Sequence, residues 1–456
     1  MNENNPRRIF ISKWPQLVAV ITGTLGTISD GMHYGWTAPM IPKLLQPDSP
    51  ISITQSDQLW IENILMIGAL VGLILTIIYS QVLGRRPIII LAAVKQFVAW
   101  SLIATTSRVE VLYFARFLAG VAGNIPFVTI PMYIAEIAEE SVRGFLETFI
   151  YTNMMVGVVI IYCIAPFTSV SVSSCVGATC ATIQIISFSF MPESPYYLLI
   201  KDNYSDALKS LQTFRGKADV YVELNEIRKA VRRQESEEGR IIDLFLIKSN
   251  RKAFLINCVL NFSQHFAGIS VLLMNLHTIL EDAHSIIRPS AASIIIVTVM
   301  LAACISSSFV IDKLGRKKLL VSSSMASGIA LFLLATYFAL KKNGYNLSHY
   351  EWVPLVAVLL YSWCFKFGLG MVPIVLSGEL FPTKMKAVGT TFGVVISCIF
   401  CMLSVFLYVS FIDFYGMHVP FFVFSGCCAI TALFAIVYIP ETKGKTLEEI
   451  QMILKS

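Results

Sequence analysis

Glu136 and Arg143 stand seven residues apart in the stretch PMYIAEIAEESVRG, and Glu379 and Lys386 repeat that spacing in GELFPTKMKAVG. Carboxylates and cations so placed can pair, and pairs that form and break make a two-state lock. Other charges recur around them in the same order. GRRP (84–87) precedes the first pair and GRKK (315–318) the second, while PESPYYL (192–198) follows the first and PETKGKT (440–446) the second. Two matched clusters are therefore expected. One holds Arg85, Arg86, Glu136, Arg143 and Glu193; the other holds Lys313, Arg316, Lys317, Glu379, Lys386 and Glu441.

The rest of the chain is apolar. Of 456 residues, 55% are hydrophobic and 14% charged, with mean hydropathy +0.69 and net charge +6. A soluble chain carries about 25% charged residues, so this one cannot cover a water-facing surface. Apolar runs of about 20 residues recur, the length that crosses a bilayer. Backbone in hydrocarbon must satisfy its own hydrogen bonds, so each run is read as a helix. Twelve are expected, among them 14–37, 252–279 and 352–377. The fold class is an all-α membrane protein, with a six-helix bundle over 1–191, a linker of short helices over 192–250, and a second bundle with a short tail over 251–456.

Loop cations set the orientation. Arg7, Arg8, Lys13, Arg85, Arg86, Arg143, Arg316, Lys317, Lys386 and Lys443 fall on one side, against Lys43, Arg108, Arg288, Lys341 and Lys342 on the other. The richer side is expected to be cytoplasmic, with both termini there and the protein in the plasma membrane. The sequon at Asn346 then lies outside, as a candidate for glycosylation. The ten cysteines fall in apolar runs and show no metal-ligand spacing. No phosphate-binding loop or catalytic triad signature is present, so no enzyme activity, cofactor, metal or nucleic-acid partner is expected.

Two related halves of six helices are the build of a transporter with its site between the repeats. Charges inside the spans are then functional candidates. Asp30 and His33 lie one turn apart midway along the first helix and are candidates for proton coupling. Lys95 and Lys366 lie in the third and tenth helices.

These motifs carry a resemblance. GRRP, RFLAG (116–120), PMYIAEIAEESVRG, PESPYYL, DKLGRKK (312–318), GELFPTKMKAVG and PETKGKTLEE resemble the sugar porters of the major facilitator superfamily. GMHYGWTAPMIPKL (31–44) is similar to the insect-type facilitated trehalose and glucose transporters. The resemblance spans the chain. It implies facilitated diffusion of trehalose or a hexose by a rocking carrier, with a proton-coupled symporter or a carrier of a non-sugar or anionic solute as alternatives. It implies a monomer whose partners are the sugar and the bilayer, and a gating role for the two clusters.

The implied sugar ligands depart from the family pattern. In QHFAGIS, Gln264 keeps the first glutamine, His265 replaces the second and Ser270 replaces an asparagine. Tyr151 stands at a glutamine place, Met300 at an asparagine, Ile374 at a ring-stacking tryptophan and Lys366 at a glutamate, while Ser397 and Cys398 replace an Asn-Trp pair. Gln264, His265, Ser270, Tyr151, Lys366, Ile374 and Met300 are the expected substrate-binding set, and the changes weaken the case for glucose itself.

Overall fold

Apolar runs with no outside partner for their backbone close on themselves as helices, and helices make up nearly all of the computed structural model. It describes residues 6–455 apart from 48, 50, 237–241, 281–286, 382, 444 and 446. In chain order the first six apolar segments give α1 (Pro6–Gly35), α2 (Thr37–Leu44), α3 (Gln55–Val82), α4 (Arg85–Thr105), α5 (Val109–Ile137), α6 (Glu140–Ile164) and α7 (Val170–Phe188). The linker forms α8 (Pro195–Ile200), α9 (Tyr204–Arg215), α10 (Tyr221–Ser236) and α11 (Asp243–Leu246). The second set is α12 (Lys248–Phe266), α13 (Ile269–Ile279), α14 (Pro289–Leu314), α15 (Arg316–Lys342), α16 (Val353–Cys364), α17 (Val372–Leu380), α18 (Thr383–Tyr415), α19 (His418–Tyr438) and α20 (Leu447–Lys455).

Eleven spans among the described residues are long and apolar enough to cross a membrane. The twelfth, α1, is less apolar because Gln16, Asp30 and His33 interrupt it, and all three are buried. Two expected continuous helices are broken. The segment expected over 252–279 stops at Phe266 and restarts at Ile269. The segment expected over 352–377 opens into a π-turn at Phe365–Leu369 between α16 and α17. Apolar periodicity continues through both breaks, which is why hydropathy alone runs the halves together.

Contacts divide the chain into two compact units. The first comprises Met1–His33, Ile67–Gly157 and Ser169–Glu238; the second comprises Tyr34–Met66, Val158–Thr168 and Gly239–Ser456. The division cuts α1, α3 and α6, so one part of each helix belongs to either unit. In the first unit α4 packs on α5 and α7. Gly68 and Gly72 of α3 meet the backbone of α5, where a Cβ would lie 2.2 Å from the Phe117 carbonyl oxygen and 2.3 Å from that of Val121. Such small residues let helices approach where lipid offers no hydrophobic drive. In the second unit α15 packs on α16 and α19, and α12 on α18.

The linker has its own small core of Leu199, Ala207, Leu211, Leu224 and Ile227. It is tied to the first unit by Gln16, whose amide donates to the Phe214 carbonyl at 3.1 Å, and by Arg215, which donates to the Ile137 carbonyl at 2.7 Å.

Candidate functional site

The two motif clusters are built on one plan. In each, a glycine of positive φ (Gly84, +86°; Gly315, +89°) turns the chain into a helix whose first residue is arginine. Glycine is needed twice over here. The conformation disfavours a side chain, and a Cβ would lie 2.6 Å from Glu193 Oε2 at the first place and 2.7 Å from Glu441 Oε2 at the second. That carboxylate comes from the segment after the sixth helix of the half. Glu193 accepts from the Arg85 and Arg86 amides at 3.1 Å each, and Glu441 accepts from the Arg316 and Lys317 amides at 3.0 and 3.1 Å. The first amides of a helix have no intrahelical partner and carry its positive pole, so a carboxylate there is held from two directions.

The arginine side chain then reaches the motif glutamate. Arg85 pairs with Glu136 at 2.8 Å and Arg316 with Glu379 at 2.9 Å. Arg86 donates to the Ser189 carbonyl. Lys443 donates from Nζ to the Lys313 carbonyl at 2.6 Å. Of the expected members, Arg143 and Lys386 have side chains outside the described residues.

Burial raises the Glu193 carboxyl above its ordinary range, with backbone amides and Arg85 opposing. At Glu441 burial also acts upward, but the amides of Lys443, Arg316, Lys317 and Thr442 together outweigh it and hold the group low.

The breaks in the second unit come together. Gln264, on the last turn of α12, donates from Nε2 to the Gly370 carbonyl at 3.0 Å, at the end of the π-turn. Gly268 takes φ +86° and starts α13, in a space where a Cβ would meet the Phe424 ring at 2.8 Å. The neighbouring residue, His265, makes different contacts. One ring nitrogen meets Ser270 Oγ at 2.8 Å and the other meets Ser397 Oγ at 2.7 Å. Cys401 donates to Ser270 at 3.3 Å and lies 3.8 Å from the Tyr34 hydroxyl. Three of the replacing residues thus join Cys401 and Tyr34 in a connected polar chain, Ser397–His265–Ser270–Cys401–Tyr34. Lys366 sits in the π-turn with its charge acting on His265. Ile374 follows on α17, partly buried, and Met300 of α14 is fully buried.

The same unit holds polar ties that sequence reasoning missed. The Tyr162 hydroxyl donates to the Leu273 carbonyl at 2.6 Å, joining α6 to α13. Gln58 of α3 donates to Asn275 Oδ1 at 3.1 Å. Glu62, one turn on, is 1% exposed and interacts electrostatically with Cys401 and Tyr408. Its signal was present, as an acid inside the apolar run WIENILMIG.

In the first unit Asp30 and His33 face α4. Asp30 Oδ1 accepts from Gln96, and the His33 ring stacks on Trp100 with centroids 3.7 Å apart. Neither nitrogen of the His33 ring has a hydrogen-bond partner among the described residues. Arg116 of α5 donates to the His33 carbonyl at 2.6 Å. Lys95 lies over the Tyr79 ring at 5.5 Å. Tyr151 packs on Phe127, with ring centroids 5.6 Å apart. Asn346 is exposed in the segment after α15, where its side chain accepts from the Ser348 amide at 3.1 Å.

Comparison with known proteins places this architecture. The facilitated trehalose transporter Tret1 of Culex quinquefasciatus is 30% identical over 444 residues, 96% of this chain and 85% of that protein. Tret1 of Drosophila virilis is 30% identical over 446 residues, 96% of this chain and 48% of its own length. The chain spans about half the length of most of these relatives, at 48–56%. Among solved structures, the proton:xylose symporter XylE bound to 6-bromo-6-deoxy-D-glucose superposes with TM-score 0.78 at 21% identity, covering 97% of this chain and all of that one. The inward open XylE of E. coli gives 0.77 at 21% identity over 95% and 98% of the two chains. These structures share the major facilitator fold. The family profile described as sugar (and other) transporter matches residues 16–454, and the chain belongs to that family.

Proposed function

We propose that the chain is a membrane carrier of a sugar of the trehalose or hexose class, moving it down its gradient by alternating access. The observation that carries this is the meeting of two broken helices, joined by Gln264 and Gly370, in a chain with two ion-pair clusters of one design. Helix breaks free polar groups at mid-span for a hydroxylated solute, and breakable ion pairs give the two states such a carrier needs.

On this reading Gln264, His265, Ser270, Tyr151 and Lys366 meet the substrate, and Ile374 and Met300 form apolar wall. Arg85, Arg86, Glu136, Arg143 and Glu193, with Arg316, Lys317, Glu379, Lys386 and Glu441, act as the gate. The gate faces the cytoplasm with both termini, the protein is a monomer in the plasma membrane, and Asn346 is a glycosylation acceptor. The moving bodies are the two six-helix halves, 1–191 and 251–456, with 192–250 between them. The chain performs no covalent chemistry.

The test is radiolabelled uptake in cells lacking their own sugar carriers, with trehalose, hexoses and their derivatives. Saturable uptake is expected, with affinity falling about tenfold in Gln264→Ala, the loss of one or two hydrogen bonds to substrate. No uptake of any of them, with the protein shown at the surface, overturns the proposal. A second reading is proton symport, favoured by the buried Asp30 held by a neutral glutamine. Uptake that collapses with a protonophore, and in Asp30→Asn, selects it.

A further inference from the structure

Lys366 lies midway along the Val353–Leu380 span, far from either membrane surface. A lysine at that depth costs about 2.5–3.5 kcal/mol on insertion scales. Such a charge faces the bundle interior or a cavity, and a partner charge lowers its cost further. Here no partner charge is present: among the described residues Lys366 Nζ makes no hydrogen bond and no ion pair, and the ammonium lies 5.9 Å from the centre of the Phe365 ring.

Among the described residues, no element packed on the π-turn pairs a carboxylate with Lys366. From α14 come Cys304, which feels the lysine's charge, and Ser307, which donates to the Phe367 carbonyl at 2.7 Å. From α15 comes Ser323, which would meet a Cβ on Gly368 at 2.3 Å. From α12 come Gln264 and His265. Three carboxylates of this unit are engaged elsewhere: Glu379 with Arg316, Glu441 with the α15 amides, and Glu62 with Gln58.

The lysine is also in the right company for binding. It is only partly buried, so its charge borders open space. Gln264 uses Nε2 on Gly370, and its Oε1 makes no hydrogen bond among the described residues, leaving an acceptor for a hydroxyl. His265 has both nitrogens engaged by serines, so it offers the space no carboxylate and no second strong cation.

We propose that the site at the helix breaks takes a hexose-sized sugar acid, with Lys366 as counter-ion to its carboxylate and Gln264 reading its hydroxyls. The inference rests on the carrier reading above and narrows its substrate. A neutral sugar would leave the ammonium uncompensated in both states of the carrier. A carboxylate removes that cost when it binds.

The test uses purified full-length protein in proteoliposomes, with radiolabelled D-glucuronate, D-glucose and trehalose. D-glucuronate is expected to be preferred over D-glucose. The preference ratio should fall about tenfold in Lys366→Gln and be kept in Lys366→Arg, as one charge-assisted hydrogen bond implies. Uptake of glucose or trehalose with rejection of glucuronate overturns the inference and leaves the carrier reading standing. So does a ratio unchanged in Lys366→Gln. Thermal unfolding with each sugar supplies an independent readout should the variant fold poorly. If no sugar is carried, stabilisation of the wild type by glucuronate and not by glucose supports the anion site while the carrier reading fails. No stabilisation by glucuronate, with no uptake, overturns both.

Discussion

The two motif clusters share a plan and differ in what surrounds it. Around the first, the linker closes in: Ser210 of α9 donates to the Glu193 carbonyl at 2.5 Å, the Tyr197 hydroxyl to the Val82 carbonyl at 2.8 Å, and the Arg85 guanidinium lies over the Tyr197 ring at 5.2 Å. Around the second lie the short segment after α19 and the α20 helix, whose Gln451 donates to the Leu380 carbonyl at 2.6 Å. The third residue of each PE(S/T) motif acts on its cluster's glutamate, Ser194 on Glu136 and Thr442 on Glu379 at 2.6 Å. Ser194 has a second task, capping α8 by accepting from the Tyr197 amide at 3.3 Å. The first cluster is therefore tied into the linker through its own serine, a tie that Thr442 does not make. The lesson is that a repeated motif fixes the pairing chemistry while its neighbours set how firmly the pair holds.

The largest effect that would separate the halves is pair removal. Arg85 and Glu136 are 9% and 14% exposed, against 11% and 25% for Arg316 and Glu379. A double-mutant cycle over Arg85→Ala and Glu136→Ala is expected to give a coupling of about 2–3 kcal/mol in thermal unfolding, and the cycle over Arg316→Ala and Glu379→Ala about 1 kcal/mol. Equal couplings would dissolve the contrast. Both sets should also raise labelling of engineered cysteines on the motif side.

Next come the glycines. Gly84→Ala and Gly315→Ala each force a side chain into a positive-φ turn and against a carboxylate, at about 1–2 kcal/mol. Gly84→Ala should cost more, because its Cβ would also meet the Tyr197 ring at 2.7 Å. Melting temperatures of the two variants, measured side by side, decide it.

Acid should then act on the halves in opposite senses. Glu441 is held below its unfolded value of about 4.3, so its contribution is present above that pH and is lost as pH falls through the lower folded value. Glu193 is raised, so its contribution is present below the unfolded value and is lost as pH rises through the higher folded one. Amide exchange read across this window should show the Arg316 and Lys317 protection weakening in acid while that of Arg85 and Arg86 holds. Parallel loss would contradict the assignment.

The smallest effect concerns Thr442→Val, which removes one hydrogen bond from Glu379 at about 1 kcal/mol. Ser194→Ala, its counterpart, should remove a hydrogen bond from Glu136 and also loosen α8, visible as faster exchange of the Tyr197 amide, an effect Thr442→Val should lack.

What the chain determined by itself is the layout. Apolar runs of membrane length, cations on alternate loops and three motifs repeated in order are local patterns, because bilayer thickness and backbone satisfaction act on each segment separately. The meeting of Arg85 with Glu136 and Glu193, and of Arg316 with Glu379 and Glu441, was legible for the same reason, since each motif appears twice. The tertiary structure alone decided the rest. Nothing in the run 252–279 marks Gly268 as a break rather than a packing glycine, and Gly368, Gly370 and Pro373 mark a bend in 352–377 without marking a π-turn; Gln264 meeting Gly370, 106 residues away, belongs to the tertiary structure alone. Asp30 and Gln96, or His265 and Ser397, are likewise partners only across helices. Such contacts are set by which faces of packed helices meet, a property of the assembled bundle that no single segment carries.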